Sequence, residues 1–263
     1  MDLGLTNRVV IISGGSKGIG KAIAGAFARE GSRVSFCARE RNVLFDTLEK
    51  IRSISGNKDV MAVEADMSKA EGVKVFVERT LSEFGRIDIL VNNAGSNPLG
   101  RLDEISDDIW CSSWSLKFLG FVRMAREVVP HMRKAGGGKI INIIGAAGRQ
   151  PIPGYVTGST INAALMNFTK YLAAEVEEYN ITVNGVNPGL IRTERFLKFI
   201  NQMAGESHKE PKEAEEELLR SLSLKKIGTG DDIASLVIFL ASEKANYING
   251  EVIEADGGFV KCI

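Results

Sequence analysis

The chain has 263 residues, 44% of them hydrophobic, with 33 basic and 33 acidic side chains and a formal net charge of zero. That length is ample for one large buried core, and the balanced charge excludes a whole-chain field that would draw nucleic acid or anionic lipid. Three scattered cysteines, Cys37, Cys111 and Cys262, make no metal, redox or disulfide framework, and the two histidines, His131 and His208, stand in unrelated surroundings that speak against a histidine metal site.

The opening MDLGLTNRVV has no basic region ahead of an apolar core, and no later apolar run approaches the roughly 20 residues of a membrane helix. A soluble, cytoplasmic protein is the expectation. Residues 9–12 are all apolar, the pattern of a central parallel strand covered on both faces. Gly14, Gly18 and Gly20 follow, and Ile19, Ala22, Ile23, Ala26 and Phe27 then repeat at helical spacing up to Gly31. A glycine triplet alone fits any structural turn. Set between a strand and a helix whose first amides are free, it makes a candidate pyrophosphate cradle.

A second strand over 33–37 runs into Ala38, Arg39, Glu40 and Arg41, with a polar helix continuing to about residue 54. At such a strand end an acidic residue holds the ribose 2′-hydroxyl of NAD, whereas an arginine pairs the 2′-phosphate of NADP. Arg39 fills the second role, Lys17 adds charge beside the same phosphate, and with no carboxylate expected at the strand end the reading is NADP(H) over NAD(H). The competing reading makes both ordinary surface cations. The third strand, 60–63, ends in Ala65-Asp66-Met67-Ser68, where Asp66 suits an adenine amino group or a simple turn and Ser68 suits the cap of a helix over 69–84. A fourth strand, 87–91, leads into Asn92-Asn93-Ala94-Gly95, small residues that leave room for a flat ligand.

Residues 105–133 read as one helix bent near Gly120, ended by Gly136-Gly137-Gly138. A fifth strand (139–144), a loop (145–154), a long helix (155–179) and a sixth strand (181–186) follow, then Asn187-Pro188-Gly189-Leu190-Ile191-Arg192-Thr193, with Thr193 placed to bond a nicotinamide carboxamide. The mixed-charge segment 194–226 is too short to own a core and reads as an inserted helical lid. Its apolar Phe196, Leu197, Phe199, Ile200 and Met203 suit either a partly hydrophobic ligand or helix packing, and His208 lies in a solvated charged run. A helix over 231–240 and a strand and turn over 251–258 close the pattern. The whole is a single α/β domain, a doubly wound parallel sheet of about seven strands. The apolar load on 116–129 and 163–176 exceeds what one face against a sheet absorbs, which predicts a homodimer or homotetramer.

On these residues the chain resembles the short-chain dehydrogenase/reductase family over nearly its whole length. The matches are the Gly14-x-x-x-Gly18-x-Gly20 loop, Asp66, Asn92-Asn93-Ala94-Gly95, Asn187-Pro188-Gly189 with Thr193, and Asp256-Gly257-Gly258. The resemblance implies a Rossmann fold and a nicotinamide cofactor touching Gly14, Ser16, Lys17, Gly18, Ile19 and Gly20, then Arg39, Asp66 and Met67. It extends those contacts to Asn93, Ala94 and Gly95, and to Pro188, Gly189, Ile191 and Thr193.

The family's chemistry uses an asparagine, a serine, and a tyrosine four residues ahead of a lysine. The ungapped alignment puts Lys117, Gly145, Gly158 and Asn162 at those four positions, so none matches. Sliding Tyr155 into the tyrosine position needs a three-residue deletion and leaves Ser159 for the lysine. Without the slide, Tyr155 still lies one helical turn ahead of Gly158. Loss of function followed by drift would also account for the four absences. The leading expectation is NADP(H)-dependent reduction of a carbonyl or related group on a small, partly hydrophobic substrate, with Lys117 as proton donor or polarising group, Tyr155 in reserve and Asn162 keeping ribose contacts. The alternatives are Schiff-base chemistry on Lys117 of a retro-aldol or decarboxylase kind, and an NADP-binding subunit without catalysis.

Overall fold

The first apolar run forms β1 (Val9–Ser13), buried along its length, in the computed structural model, which describes residues 2–262. The other strands are β2 (Arg33–Ala38), β3 (Val60–Glu64), β4 (Ile89–Asn92), β5 (Gly138–Ile143), β6 (Ile181–Pro188) and β7 (Val252–Ala255). They make one seven-stranded sheet in the order β3-β2-β1-β4-β5-β6-β7, parallel at every pairing. The helices are α1 (Gly18–Arg29), α2 (Arg41–Ser55), α3 (Ala70–Phe84), α4 (Asp107–Ser113), α5 (Leu119–Lys134), α6 (Val156–Val176), α7 (Glu194–Glu206), α8 (Pro211–Ser221) and α9 (Gly230–Ala241). This is the Rossmann-type arrangement implied by the resemblance. The strand order reverses between β1 and β4, and in such sheets a crevice opens at the carboxyl ends of the strands there.

Successive residues of β1 feed opposite faces of the sheet. Val10 and Ile12 join a core with Ile23 and Phe27 of α1, Leu44, Leu48 and Ile51 of α2, and Ile233, Val237 and Leu240 of α9. Ile11 joins the other core, with Phe76 and Val77 of α3, Met124 and Val128 of α5, and Leu172 and Val176 of α6. Burying both faces is why the parallel strands read as continuous apolar runs.

Two local expectations fail. The helix expected over 105–133 carries its irregularity elsewhere: after a 3-10 turn (Leu102–Glu104), α4 runs without a gap through a π-helical turn (Trp114–Phe118), in which the Leu119 amide donates to Trp114 O, into α5. The irregularity lies at this wide turn and not at Gly120, which sits inside α5, where a Cβ would come 3.2 Å from Met67 O. The Arg123 guanidinium donates to Ser115 O at 3.0 Å within the turn. Ser68 does not cap α3 either. Lys69 holds the N-cap position without a side-chain bond, and the Ser68 hydroxyl donates to Asp66 Oδ1 at 2.8 Å.

In the segment expected as a lid, α7 and α8 close on a small cluster of Phe196, Ile200 and Ile227, flanked by Phe199, Met203, Leu218 and Leu219. Helix packing therefore accounts for the apolar positions named there except Leu197, which is exposed. His208 is exposed, as expected. Most of the apolar load on α5 and α6 is absorbed by the cores. What stays partly exposed is an aromatic patch of Trp114 and Phe118, 4.6 Å apart between ring centroids, with Phe168 edge-on to Phe118. Among the described residues no helix is long and apolar enough to cross a membrane.

Candidate active site

The loops after β1 and β4 are locked together through backbone atoms. Asn93 Nδ2 donates to Gly14 O (2.8 Å) and Ser13 O (3.2 Å), while Ser13 Oγ accepts from the amides of Asn93 (3.0 Å) and Ala94 (3.1 Å). A Cβ on Gly14 would lie 2.8 Å from Ala94 Cα, and one on Gly20 would run into Gly14 O, so only glycine permits this approach. Lys17, at the N-cap of α1, makes no side-chain cap bond and the first turn holds no acidic residue. Gly18 faces the Thr193 methyl group, 3.1 Å from a Cβ built there. Ser16 and Ile19 turn inward: Ser16 O accepts from Thr47 Oγ1 at 2.9 Å and Ile19 packs on the core.

At the end of β2 a carboxylate is present after all. Glu40 pairs Lys17 Nζ at 2.9 Å, a bond that holds the amine above and the carboxyl below its ordinary range. Lys17 is thus partly neutralised, whereas Arg39 is exposed and has no ion pair among the described residues. Sequence reasoning placed Glu40 next to Arg39 without giving it a role, because the pairing depends on the glycine loop folding back over the strand end. Asp66 Oδ1 accepts from the Ser68 amide (3.0 Å) and hydroxyl, an Asx turn that leaves Oδ2 for other partners. Burial pushes the Asp66 carboxyl up, but the Ser68 bonds and the Arg39 charge outweigh it and hold the group low. Met67 is a core residue, so a ligand would meet its backbone and not its side chain.

Lys117 lies in the π-helical turn and is only 7% exposed. Its stem crosses the backbone of Gly95, where a Cβ would be 2.8 Å from Lys117 Cδ, and the amine donates to Ile144 O (2.5 Å) and Asn162 Oδ1 (2.6 Å). Both acceptors are neutral. Desolvation, with a smaller repulsion from Arg195, lowers the amine to about 7. Asn162 is itself buried, its Oδ1 accepting from Lys117 and its Nδ2 2.8 Å from a Cβ built on Gly145, so its amide orients the lysine. Gly145 has φ +133°, a conformation L side chains rarely adopt. Tyr155 lies directly over Gly158, its ring filling the space a side chain at 158 would enter.

At the far side, β6 delivers Pro188, Gly189, Ile191 and Thr193. Gly189 abuts Asp256 (2.8 Å from a built Cβ to Cα), Ile191 is buried in the core, and Thr193 Oγ1 caps α7 by accepting from the Phe196 amide at 3.3 Å. Asn187 bridges the Gly145 amide (3.2 Å) to Glu254 (2.8 Å), which also pairs Arg149 at 2.8 Å. Arg195, in the first turn of α7, donates to Asn97 O and carries its guanidinium carbon 5.8 Å from the Tyr155 ring centroid. Neither the Asn187 bridge nor Arg195 was singled out from sequence. The one available signal for Arg195 was its place two residues after Thr193.

The family model described as enoyl-(acyl carrier protein) reductase matches residues 14–260. The NADPH-dependent reductase BacG of Bacillus subtilis is 30% identical over 259 residues, covering 98% of this chain and all of that protein. The 3-oxoacyl-[acyl-carrier-protein] reductase FabG of Chlamydia muridarum is 32% identical over 254 residues, 97% of this chain and 98% of that one. Among solved structures, L-sorbose reductase from Gluconobacter frateurii, complexed with NADPH and L-sorbose, superposes with a TM-score of 0.96 at 36% identity over the full length of both chains.

Proposed function

The chain belongs to the short-chain dehydrogenase/reductase family, and from that premise we propose that it is an NADP(H)-dependent reductase of a carbonyl or related group on a small, partly hydrophobic substrate, with Lys117 in place of the family's tyrosine as the proton-holding residue. The cradle fits a dinucleotide. The start of α1 is uncapped by side chains, the glycines bring backbone within reach of a diphosphate, and Arg39 stands unpaired at the ribose end. A relative described as NADPH-dependent and a neighbour solved with NADPH support the choice of NADP(H). The bound nicotinamide supplies the hydride.

The observation that carries the reading is the buried Lys117 amine. It lies against Gly95, past the end of β4, its two bonds run to uncharged oxygens, and its third position is left for a reacting oxygen. At about 7 the amine is populated in both protonation states near neutrality, as a general acid requires. Asn162 orients it, Gly95 lets its stem pass, and the Tyr155 ring closes the space over Gly158. The replaced tetrad is on this reading a rebuilt site. NADPH oxidation followed over a panel of aldehydes, ketones and enones tests it: turnover on at least one member that Lys117→Ala removes is the expected result, and NADPH binding with no oxidation of any member would overturn it. We also propose a single dinucleotide-binding domain carrying α7 and α8 as a lid, assembled as a homo-oligomer through the Trp114, Phe118 and Phe168 patch. Light scattering on the wild type and Phe118→Glu checks the assembly.

A further inference from the structure

We infer that the substrate of this site carries a carboxylate and that Arg195 is the residue that binds it. The inference rests on the reductase reading for its reaction but not for its binding site. Arg195 is exposed on α7, and it lies close enough to the buried Lys117 amine to repel it. Arg195 lies over the Tyr155 ring, Tyr155 covers Gly158, and Gly158 lies one helical turn before Asn162, which holds the Lys117 amine. No described salt bridge includes either cation. Arg192, three residues earlier on the same segment, is by contrast paired with Glu215. Arg195 uses one N–H on Asn97 O, leaving the rest of its planar fork for an acceptor.

The field around Lys117 agrees with this. The one charged group that perturbs it is Arg195, which repels it, and no carboxylate is among the groups that act on the Lys117 amine. Two neighbouring cations, neither in a described salt bridge, are complemented by an anion brought in with the substrate. A single guanidinium over an aromatic ring, its carbon 5.8 Å from the centroid, suits a planar monoanion, which it can hold through two parallel N–H bonds. The substrate class is therefore an oxo acid, its reducible carbonyl toward Lys117 and its carboxylate toward Arg195. The balanced reaction takes oxo acid, NADPH and one proton to hydroxy acid and NADP+.

The test uses matched pairs, each oxo acid against its own methyl ester: benzoylformate, 4-phenyl-2-oxobutanoate and 4-oxopentanoate. Calorimetric titration into NADP+-loaded protein should show at least one acid binding about 10-fold or more tighter than its ester. Arg195→Met should bring that ratio close to one, and Arg195→Lys should recover part of it. Equal affinities in all three pairs, no binding by any acid, or a preference that survives Arg195→Met would each overturn the assignment. Turnover of the same compounds with NADPH is read separately. If the acid preference depends on Arg195 but no NADPH is oxidised, the reductase reading falls and the carboxylate subsite stands.

Discussion

The two halves of the candidate site hold their shape by opposite means. From Gly14 to Asn93 the close approaches are of backbone to backbone at glycines, whereas from Gly95 to Arg195 long side chains reach in, Lys117 to Ile144 O and Asn162 Oδ1 and Arg195 to Asn97 O and the Tyr155 ring. A cradle made of amides and carbonyls tolerates few replacements, because nearly every side chain added at Gly14 or Gly20 collides with main chain. A site made of side chains can be exchanged wholesale while its outline is kept. Here Gly145 and Gly158 offer no side chains, and Lys117, Asn162 and Tyr155 occupy the volume. The lesson is that the ligand-holding half of such a fold announces itself through backbone constraint, while the reacting half has to be read from what fills the space.

The sharpest way to break this contrast is at Lys117. Lys117→Ala should lower turnover by the roughly 100- to 10,000-fold typical of a lost general acid while NADPH affinity, set in the other half, stays near that of the wild type; paired kinetics and titration measure both. Lys117→Arg should be nearly as damaging, since a guanidinium keeps its proton. Retained turnover in Lys117→Ala together with its loss in Tyr155→Phe would move the chemistry to the tyrosine.

The same amine sets a pH dependence. Its folded value of about 7 lies below the ordinary lysine value, so between the two the unfolded chain binds more protons than the folded one. Its contribution to stability therefore rises with pH across that window, by at most about 1.4 kcal/mol per pH unit. Urea unfolding should show Lys117→Met gaining on the wild type by about 2 to 3 kcal/mol more at pH 6 than at pH 9, and an unchanged difference would mean that the amine stays charged. As a proton donor it should also give a rate that falls as pH rises through about 7.

A tyrosine placed at 158, where the ungapped alignment puts the family's tyrosine, probes the filled volume directly. Gly158→Tyr places its Cβ in the Tyr155 ring, so thermal unfolding should report a loss of about 1 to 3 kcal/mol with no gain in activity, and Tyr155→Ala in the same chain should recover part of the stability. The smallest effects belong to the exposed cations of the cradle. Arg39→Ala should reduce the preference for NADP(H) over NAD(H) by about 10-fold, from the roughly 1.5 to 3 kcal/mol of a charged contact discounted for solvent. Glu40→Gln, by releasing Lys17, should tighten NADP(H) binding about two- to fivefold, and calorimetry on both variants decides whether the ion pair competes with the phosphate.

The strands, their parallel doubly wound sheet and the glycine loop were legible because buried parallel strands and tight turns leave compositional marks: apolar runs such as 9–12 and glycines where no Cβ fits. The alignment brought Lys117 and Asn162 to notice as departures, and the structure joins them by a 2.6 Å bond that no periodicity encodes. Glu40 and Arg195 escaped because their partners, Lys17 and Tyr155, lie far away in sequence. The irregularity in the helix over 105–133 escaped because Trp114, Leu116, Lys117 and Phe118 are ordinary helix residues whose wide turn is chosen by packing and by Arg123.

That wide turn also acts as a phase shifter. One surplus residue in a helix rotates everything beyond it by about 100° relative to an unbroken ladder, so α4 and α5 run along a common line with their faces out of step. Lys117 sits at the seam, and its azimuth is decoupled from the heptad-like stripe of Phe121, Met124, Ala125 and Val128 that anchors α5 to the sheet. The protein can thus aim an amine into the candidate site without retuning the buried face of the helix that carries it.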